Sequence, residues 1–151
     1  MWSLPLISAT IALAAPAPEA FIEVGCPWMP LFFEGDTAEI DAAGHDRAIG
    51  SWFEMMIANP ITAEARVVLR AYTTGAASAE LDELSTARAE AARSALIARG
   101  MQPDRIMIGT PTFDGGPNMV QEGWIGGWIF PEFFITRAAA DRRFPPGGPI
   151  C

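Results

Sequence analysis

The chain has no lysine, one histidine and two cysteines among its 151 residues. Its ten basic residues, all arginine, face eighteen acidic ones, which gives a net charge of −8. Nucleic-acid binding is disfavoured because phosphate repulsion opposes it and no basic stripe offsets that repulsion. An anionic membrane surface is disfavoured for the same reason. The cysteine spacing and the single histidine, His45, fit no zinc pattern.

Motifs of catalysis and of phosphate binding are also missing. Ser85 and His45 lie in predicted helices, and no glycine-x-serine-x-glycine elbow indicates a nucleophile with its base. Gly126-Gly127 does not follow a strand–helix turn, so it is not a phosphate loop. The acidic residues after the first predicted strand lack EF-hand spacing. The sequence therefore predicts a protein that is not an enzyme and needs no cofactor.

The N-terminal apolar run, Leu4–Ala15, is too short to span a bilayer as a helix. It suits the apolar core of a secretory signal peptide and is followed by small-x-small cleavage sites, although no basic residue precedes it. The alternatives are an unstructured apolar N-terminus or a misassigned start. We expect a signal peptide at 1–17, a linker or N-terminal segment at 18–30, one domain at 31–137 and a proline- and glycine-rich tail at 138–151.

The two cysteines, Cys26 and Cys151, lie on either side of the predicted domain. In an oxidising periplasm an even cysteine count permits one disulfide. Closing a loop of this length would contribute up to about 4–5 kcal/mol in the chain-entropy model. Two unpaired thiols are the equal alternative.

Half of the residues are hydrophobic, which predicts a globular domain with its own core. The predicted elements are a strand at Leu31–Glu34, a helix from Asp41 to about Asn59, a strand at Arg66–Tyr72, a helix from about Ala79 to Arg99, a strand at Arg105–Ile108, and a last strand or bulged hairpin within Trp124–Thr136. Pro131 is expected to interrupt pairing in the last of these. The order β-α-β-α-β-β predicts an α/β (α+β) sandwich with two helices packed on one face of a small mixed sheet.

The second predicted helix carries a charged residue, Arg88, in register with its buried side, and this position indicates a binding site. We expect Leu81, Leu84, Ala91, Ala92 and Ala95 to form its buried side, with Gly100 ending it. Arg88 is in register with the buried side, where a guanidinium facing a cleft would pair with a carboxylate through two parallel hydrogen bonds. The alternative is an arginine at the helix edge, solvated or paired with a neighbouring acid.

Three segments resemble the OmpA-like domain of bacterial envelope proteins. They are Leu31–Asp41, an aromatic strand with a small polar loop; Leu84–Ala89, which reads leucine-serine-x-x-arginine-alanine; and Leu96–Ile106, a helix exit with the next strand. They occur in the family's order and at fitting spacing. The resemblance implies a periplasmic module that binds peptidoglycan through the diaminopimelate of the stem peptide, with Arg88 holding the ligand carboxylate.

The other half of the implied site departs from the family. The aspartate that takes the ligand ammonium falls at Tyr72 or Thr73 here, and neither carries a charge. Losing a charge-assisted bond would cost on the order of 1.5–3 kcal/mol. The implied ligand-binding set is therefore Arg88 with weaker help from Thr73, Thr74 or Asp82. The alternative is a structural or protein-interaction envelope module without peptidoglycan binding, whose contact with another envelope protein would lie within Trp124–Phe134 or the tail.

Overall fold

A computed structural model describes residues 21–24, 29–41, 43–58, 65–113 and 126–139. The predicted signal peptide, nearly all of the tail, and both cysteines, Cys26 and Cys151, lie outside the described residues, so neither the disulfide nor the two unpaired thiols are tested. The elements are β1 (Phe21–Val24), β2 (Leu31–Glu34), α1 (His45–Ala58), β3 (Arg66–Thr73), α2 (Ala79–Ala98), a 3-10 turn (Pro103–Arg105), β4 (Ile106–Ile108), β5 (Thr112–Phe113) and β6 (Gly126–Thr136).

The strands form one mixed sheet around β6 and β3, which pair antiparallel along their length. The other edge of β6 pairs antiparallel with β2 near its start and with β1 near its end. The far edge of β3 pairs in parallel with β4 and β5. The sequence predicts a linker or N-terminal segment over 18–30, without a strand, whereas β1 lies inside that range. The linker prediction missed it because the partner of Phe21, Thr136, is distant in the chain.

The sequence predicts that Pro131 interrupts pairing, whereas β6 runs through it. Leu69 lies opposite Pro131, and the Leu69 carbonyl accepts the Gly109 amide, 3.0 Å away, on the opposite edge of β3. The Leu69–Pro131 pair is therefore not hydrogen-bonded, since the amide and carbonyl of a strand residue point to the same edge. On the outer edge of β6, the β2 pairing stops at Ile129 and the β1 pairing starts at Phe133. A missing N–H at Pro131 thus removes no bond of this register.

Both helices cover the same face of the sheet, which confirms the predicted α/β sandwich. Ile49 and Trp52 of α1 and Leu96 of α2 are buried in one core cluster with residues of β3 and β6. These strand residues are Val67, Leu69, Ala71, Ile129, Phe133 and Ile135. The buried face of α2 differs from the expected one. Its buried residues are Ser85, Arg88, Ala89, Ala92 and Leu96. Of the expected residues only Ala92 is among them, and the expected leucines and the other two alanines are half-buried. The expectation assigned apolar residues to the buried side, whereas two of the residues buried there, Ser85 and Arg88, are polar.

The ends of α2 follow local chemistry closely. The Ser78 side chain caps its start by accepting the Leu81 amide. At its end Gly100 has φ +106°, its amide donates to Ile97, and the Met101 amide donates to Leu96. This pair of bonds is a Schellman motif, so the prediction that Gly100 ends the helix is confirmed. The cap at Ser78 and the Schellman motif at Gly100 set where α2 begins and ends, with Arg88 on the side of the helix that faces the sheet.

Candidate functional site

Arg88 lies at the middle of the buried face of α2, with none of its surface exposed to solvent. Its Nε donates to the carbonyl of Thr37 at 2.8 Å, and its Nη2 donates to the carbonyl of Gly35 at 2.7 Å. The guanidinium also lies over the ring of Phe33, 5.3 Å from the ring centroid. Arg88 therefore fastens the segment that joins β2 to α1, residues 35–44, which we call the β2–α1 connection.

The turn that starts this connection places its carbonyls for Arg88. Gly35 has φ +61°, in the left-handed region, so the chain reverses directly after β2. The reversal brings the carbonyls of Gly35 and Thr37 to the same side chain. The planar fork of a guanidinium suits two such acceptors, and a lysine ammonium does not have this geometry.

The third nitrogen of the guanidinium, Nη1, has no hydrogen-bond partner among the residues that the structure describes. It lies against Gly127 of β6, where a Cβ atom would overlap it. The same Cβ would lie 2.5 Å from the carbonyl oxygen of Tyr72 and 3.1 Å from Oγ1 of Thr73. The absence of a side chain at Gly127 is therefore what lets α2 bring Arg88 onto the sheet.

No carboxylate within the described ranges forms an ion pair with Arg88, and Asp82 and Glu83 both lie exposed. Burial lowers the pKa of the Arg88 guanidinium, while the charge of Asp36 in the connection acts in the opposite direction. An arginine stays protonated across the physiological pH range in spite of such a shift. A permanent charge is thus buried against backbone carbonyls, which supply partial negative charge.

The other residues of the implied ligand set are occupied or remote. Thr73 is 1% exposed, and its Oγ1 lies 2.7 Å from Oγ of Ser85, which in turn donates to the Leu81 carbonyl. Thr74 Oγ1 donates to the Gly126 carbonyl at 2.9 Å and accepts the Gly126 amide at 3.0 Å. The fold brings Arg88 and Thr73 together around Gly127, with Thr74 next to them. It leaves Asp82 exposed in the first turn of α2.

Tyr72 does not close the site, because it faces the side of the sheet that carries no helix among the described elements. There its ring stacks on Trp128, with centroids 5.5 Å apart. Burial raises the pKa of the Tyr72 phenol. On the same side Arg70 holds Glu132 through two bonds of 2.8 and 2.9 Å. Within the described residues, the carbonyls of Gly35 and Thr37 in the β2–α1 connection lie over the guanidinium of Arg88.

Beyond Arg88, the far end of the connection forms an open acidic cleft of about 350 Å³ next to β2. The carboxylates of Glu34, Glu39 and Asp41 line it together with His45. No group of three or more potential ligands among the described residues is arranged to hold a metal ion. The His45 side chain, in the first turn of α1, is only 11% exposed. No local pattern indicates this burial, because the Phe32 carbonyl and the Phe33 ring that His45 contacts belong to β2, which lies earlier in the chain.

Comparison with known proteins adds a likeness of fold. No protein-family model matches the chain, and no curated protein matches it in sequence.

In the described part of the chain, no helix combines the length and the apolar character that crossing a membrane requires. Among solved structures, the chain is similar to the OmpA-like domain of FopA1 from Francisella tularensis subsp. tularensis SCHU S4, with a TM-score of 0.49 and 19% identity over 71% of this chain and 70% of that one.

Proposed function

We propose that this chain is a non-catalytic periplasmic module of the cell envelope that serves a structural or protein-interaction role. In this role Arg88 fastens the β2–α1 connection and does not hold diaminopimelate. The envelope assignment is supported by the three segments that resemble OmpA-like domains. The observation that carries the role of Arg88 is its complete burial with Nε and Nη2 bound to the carbonyls of Thr37 and Gly35.

A ligand carboxylate would have to displace these carbonyls before it reached the guanidinium fork. Hydrogen bonds to a charged group contribute about 1.5–3 kcal/mol each, so the exchange gains little beyond what it breaks. The ligand ammonium would find no countercharge either, since Thr73 is neutral and buried. Both ends of a diaminopimelate clamp are thus weaker than in the family that the sequence resembles.

Weak peptidoglycan binding through Arg88 is the second candidate, and one observation favours it. Nη1 is a buried donor without a partner among the described residues. Such a donor costs about 1–3 kcal/mol, and a carboxylate oxygen would satisfy it. This candidate requires the β2–α1 connection to move away from α2 when the ligand binds.

Co-sedimentation with purified diaminopimelate-type sacculi separates the two candidates. We expect the wild-type chain to remain in the supernatant to the same extent as an unrelated acidic protein. Arg93→Ala is the matched control, because Arg93 lies on the same helix, half-exposed, and its contacts are long. The proposal is wrong if three results are obtained together. The wild type and Arg93→Ala both pellet with sacculi, and free meso-diaminopimelate releases both from the pellet. A folded Arg88→Lys variant, in contrast, stays in the supernatant.

A further inference from the structure

The face of the sheet opposite α1 and α2 carries exposed apolar side chains. Ile22 of β1 packs against the core, so its neighbours Phe21 and Glu23 point to this opposite face. Among the described residues, three of the four exposed large apolar side chains lie on it, namely Phe21, Phe32 and Met107. A cluster of exposed apolar side chains is typical of an interaction site.

One end of this face forms a shallow groove of about 170 Å³, which we call the Phe134 groove. It is lined by Phe21, Arg66, Val68, Met107 and Phe134. These residues come from β1, β3, β4 and β6, which lie side by side at this end of the sheet. Phe21 is 39% and Met107 is 47% exposed, whereas Trp128 toward the other end of the face is only 3% exposed.

Two opposite charges flank the groove. In the strand register, Glu23 of β1 lies on one side of Phe134 and Arg66 of β3 lies on the other. Both residues are exposed, and neither forms an ion pair within the described ranges. The guanidinium of Arg66 lies over the ring of Phe21, 4.8 Å from its centroid, which leaves its N–H edge free for a carboxylate. The apolar groove thus has one unpaired charge of each sign at its rim.

We propose that the Phe134 groove is the interface of a symmetric dimer, in which Arg66 of each copy pairs with Glu23 of the other. The arrangement needs a twofold axis that runs between the two faces and bisects the line from Arg66 to Glu23. Such an axis exchanges the two positions, so each guanidinium faces a carboxylate of the second copy and the same contact is made twice. Because Phe134 lies between the two charges, the axis also brings the two Phe134 rings together.

A second copy of the chain matches this groove in charge and in shape. An unrelated partner would have to present an acid and a base at the same spacing, whereas a second copy does so by symmetry. Two sheets pack face to face at about 10 Å with their strands about 30° apart, and the helices of both copies stay outside. Glu132, next to the groove, adds no repulsion because Arg70 of the same chain binds it at 2.8 Å.

The size of the groove predicts weak association. Four strands span about 15–20 Å, so the patch lies well below the roughly 800 Å² per partner of a stable interface. We therefore expect a dissociation constant on the order of 10–100 µM. The net charge of −8 on each copy is largely screened at physiological ionic strength. The pairing goes beyond the proposed function and does not depend on it, since Arg88 lies on the other face of the sheet.

Sedimentation velocity of the full chain from about 1 µM to 1 mM measures the association. Arg66→Glu places acids opposite acids, and Glu23→Arg places bases opposite bases, so each variant should dimerise at least about tenfold more weakly than the wild type. Arg47→Glu and Glu83→Arg make the same changes of charge at exposed positions of α1 and α2. These two controls should dimerise as the wild type does.

An equimolar mixture of Arg66→Glu and Glu23→Arg tests the pairing itself. One variant then carries two acids at the rim and the other carries two bases, so every pair in the mixed dimer joins opposite charges. We expect the mixture to dimerise close to the wild-type midpoint. In the wild type alone, dilution should shift the nuclear magnetic resonance signals of Val68, Met107 and Phe134 with that same midpoint.

Three results would each overturn the proposal. The first is a wild-type chain that stays monomeric up to about 1 mM. The second is wild-type association in both reversed variants, which would place the interface elsewhere. The third is a mixture that stays as monomeric as its two components while circular dichroism shows that both are folded.

Discussion

Replacement of Arg88 by alanine is expected to lower the free energy of unfolding by about 3 kcal/mol. The change removes two bonds from a charged donor, to Gly35 and Thr37, and leaves a space against Phe33. Two effects offset part of this cost. A buried charge no longer has to be kept out of water, and water can bond to carbonyls of the connection that lose the guanidinium. Urea denaturation followed by circular dichroism measures the difference, and the thermal midpoint should fall by about 10 °C.

Arg93→Ala and Arg88→Lys are the controls for Arg88→Ala. Arg93 pairs with Glu90 at 3.8 Å on the exposed side of α2, so its removal should cost less than about 1 kcal/mol. A lysine at position 88 keeps the charge but cannot bridge two carbonyls as a fork does, so it should recover only part of the loss. If Arg88→Ala unfolds within about 0.5 kcal/mol of the wild type, Arg88 does not fasten the connection.

Gly127→Ala is expected to destabilise the fold by about 3 kcal/mol or more, because the added methyl group has no room. It would overlap Arg88 Nη1 and lie 2.5 Å from the Tyr72 carbonyl oxygen. The Tyr72 oxygen belongs to the backbone of β3, so relief requires β3 and β6 to separate. Chemical denaturation of Gly127→Ala beside the wild type gives the loss directly.

Gly44→Ala is the matched control for this substitution. A Cβ at Gly44 would meet only Asp41, at 3.7 and 3.8 Å, which is ordinary contact distance. This variant should therefore keep the wild-type unfolding midpoint. The double variant Gly127→Ala, Arg88→Ala should remain unstable, since the overlap with the Tyr72 carbonyl persists. A stable Gly127→Ala protein would show that α2 does not lie this close to β6.

The elements that the sequence predicts well are those with a strong local pattern. Arg66–Tyr72 is rich in β-branched and aromatic residues, and its strand extends by one residue to Thr73. α2 has good helix formers, and Gly100 ends it. α1 begins at His45 and not near Asp41, because the Asp41 carboxylate first holds the amides of a capping turn. Local chemistry thus accounts for most element boundaries.

The missed features depend on partners that are distant in the chain. β1 and β5 are short strands that exist only through their pairing with β6 and β3. The sequence predicts that Arg88 lies on the buried side of its helix, but the acceptors of its hydrogen bonds are two backbone carbonyls about fifty residues earlier in the chain. Backbone acceptors leave no residue-type signal, so the sequence indicates a carboxylate for a guanidinium whose Nε and Nη2 already donate to backbone carbonyls.

The Arg88 Nε–H signal, observed by nuclear magnetic resonance while meso-diaminopimelate is added, tests the central claim most directly. The claim is that this guanidinium belongs to the β2–α1 connection. It predicts a resolved signal that exchanges slowly with water, since Nε is buried and bonded to Thr37, and that does not move as ligand is added to millimolar concentration. A rapidly exchanging Nε–H, or a saturable shift shared with the Gly35 and Thr37 region, would contradict it.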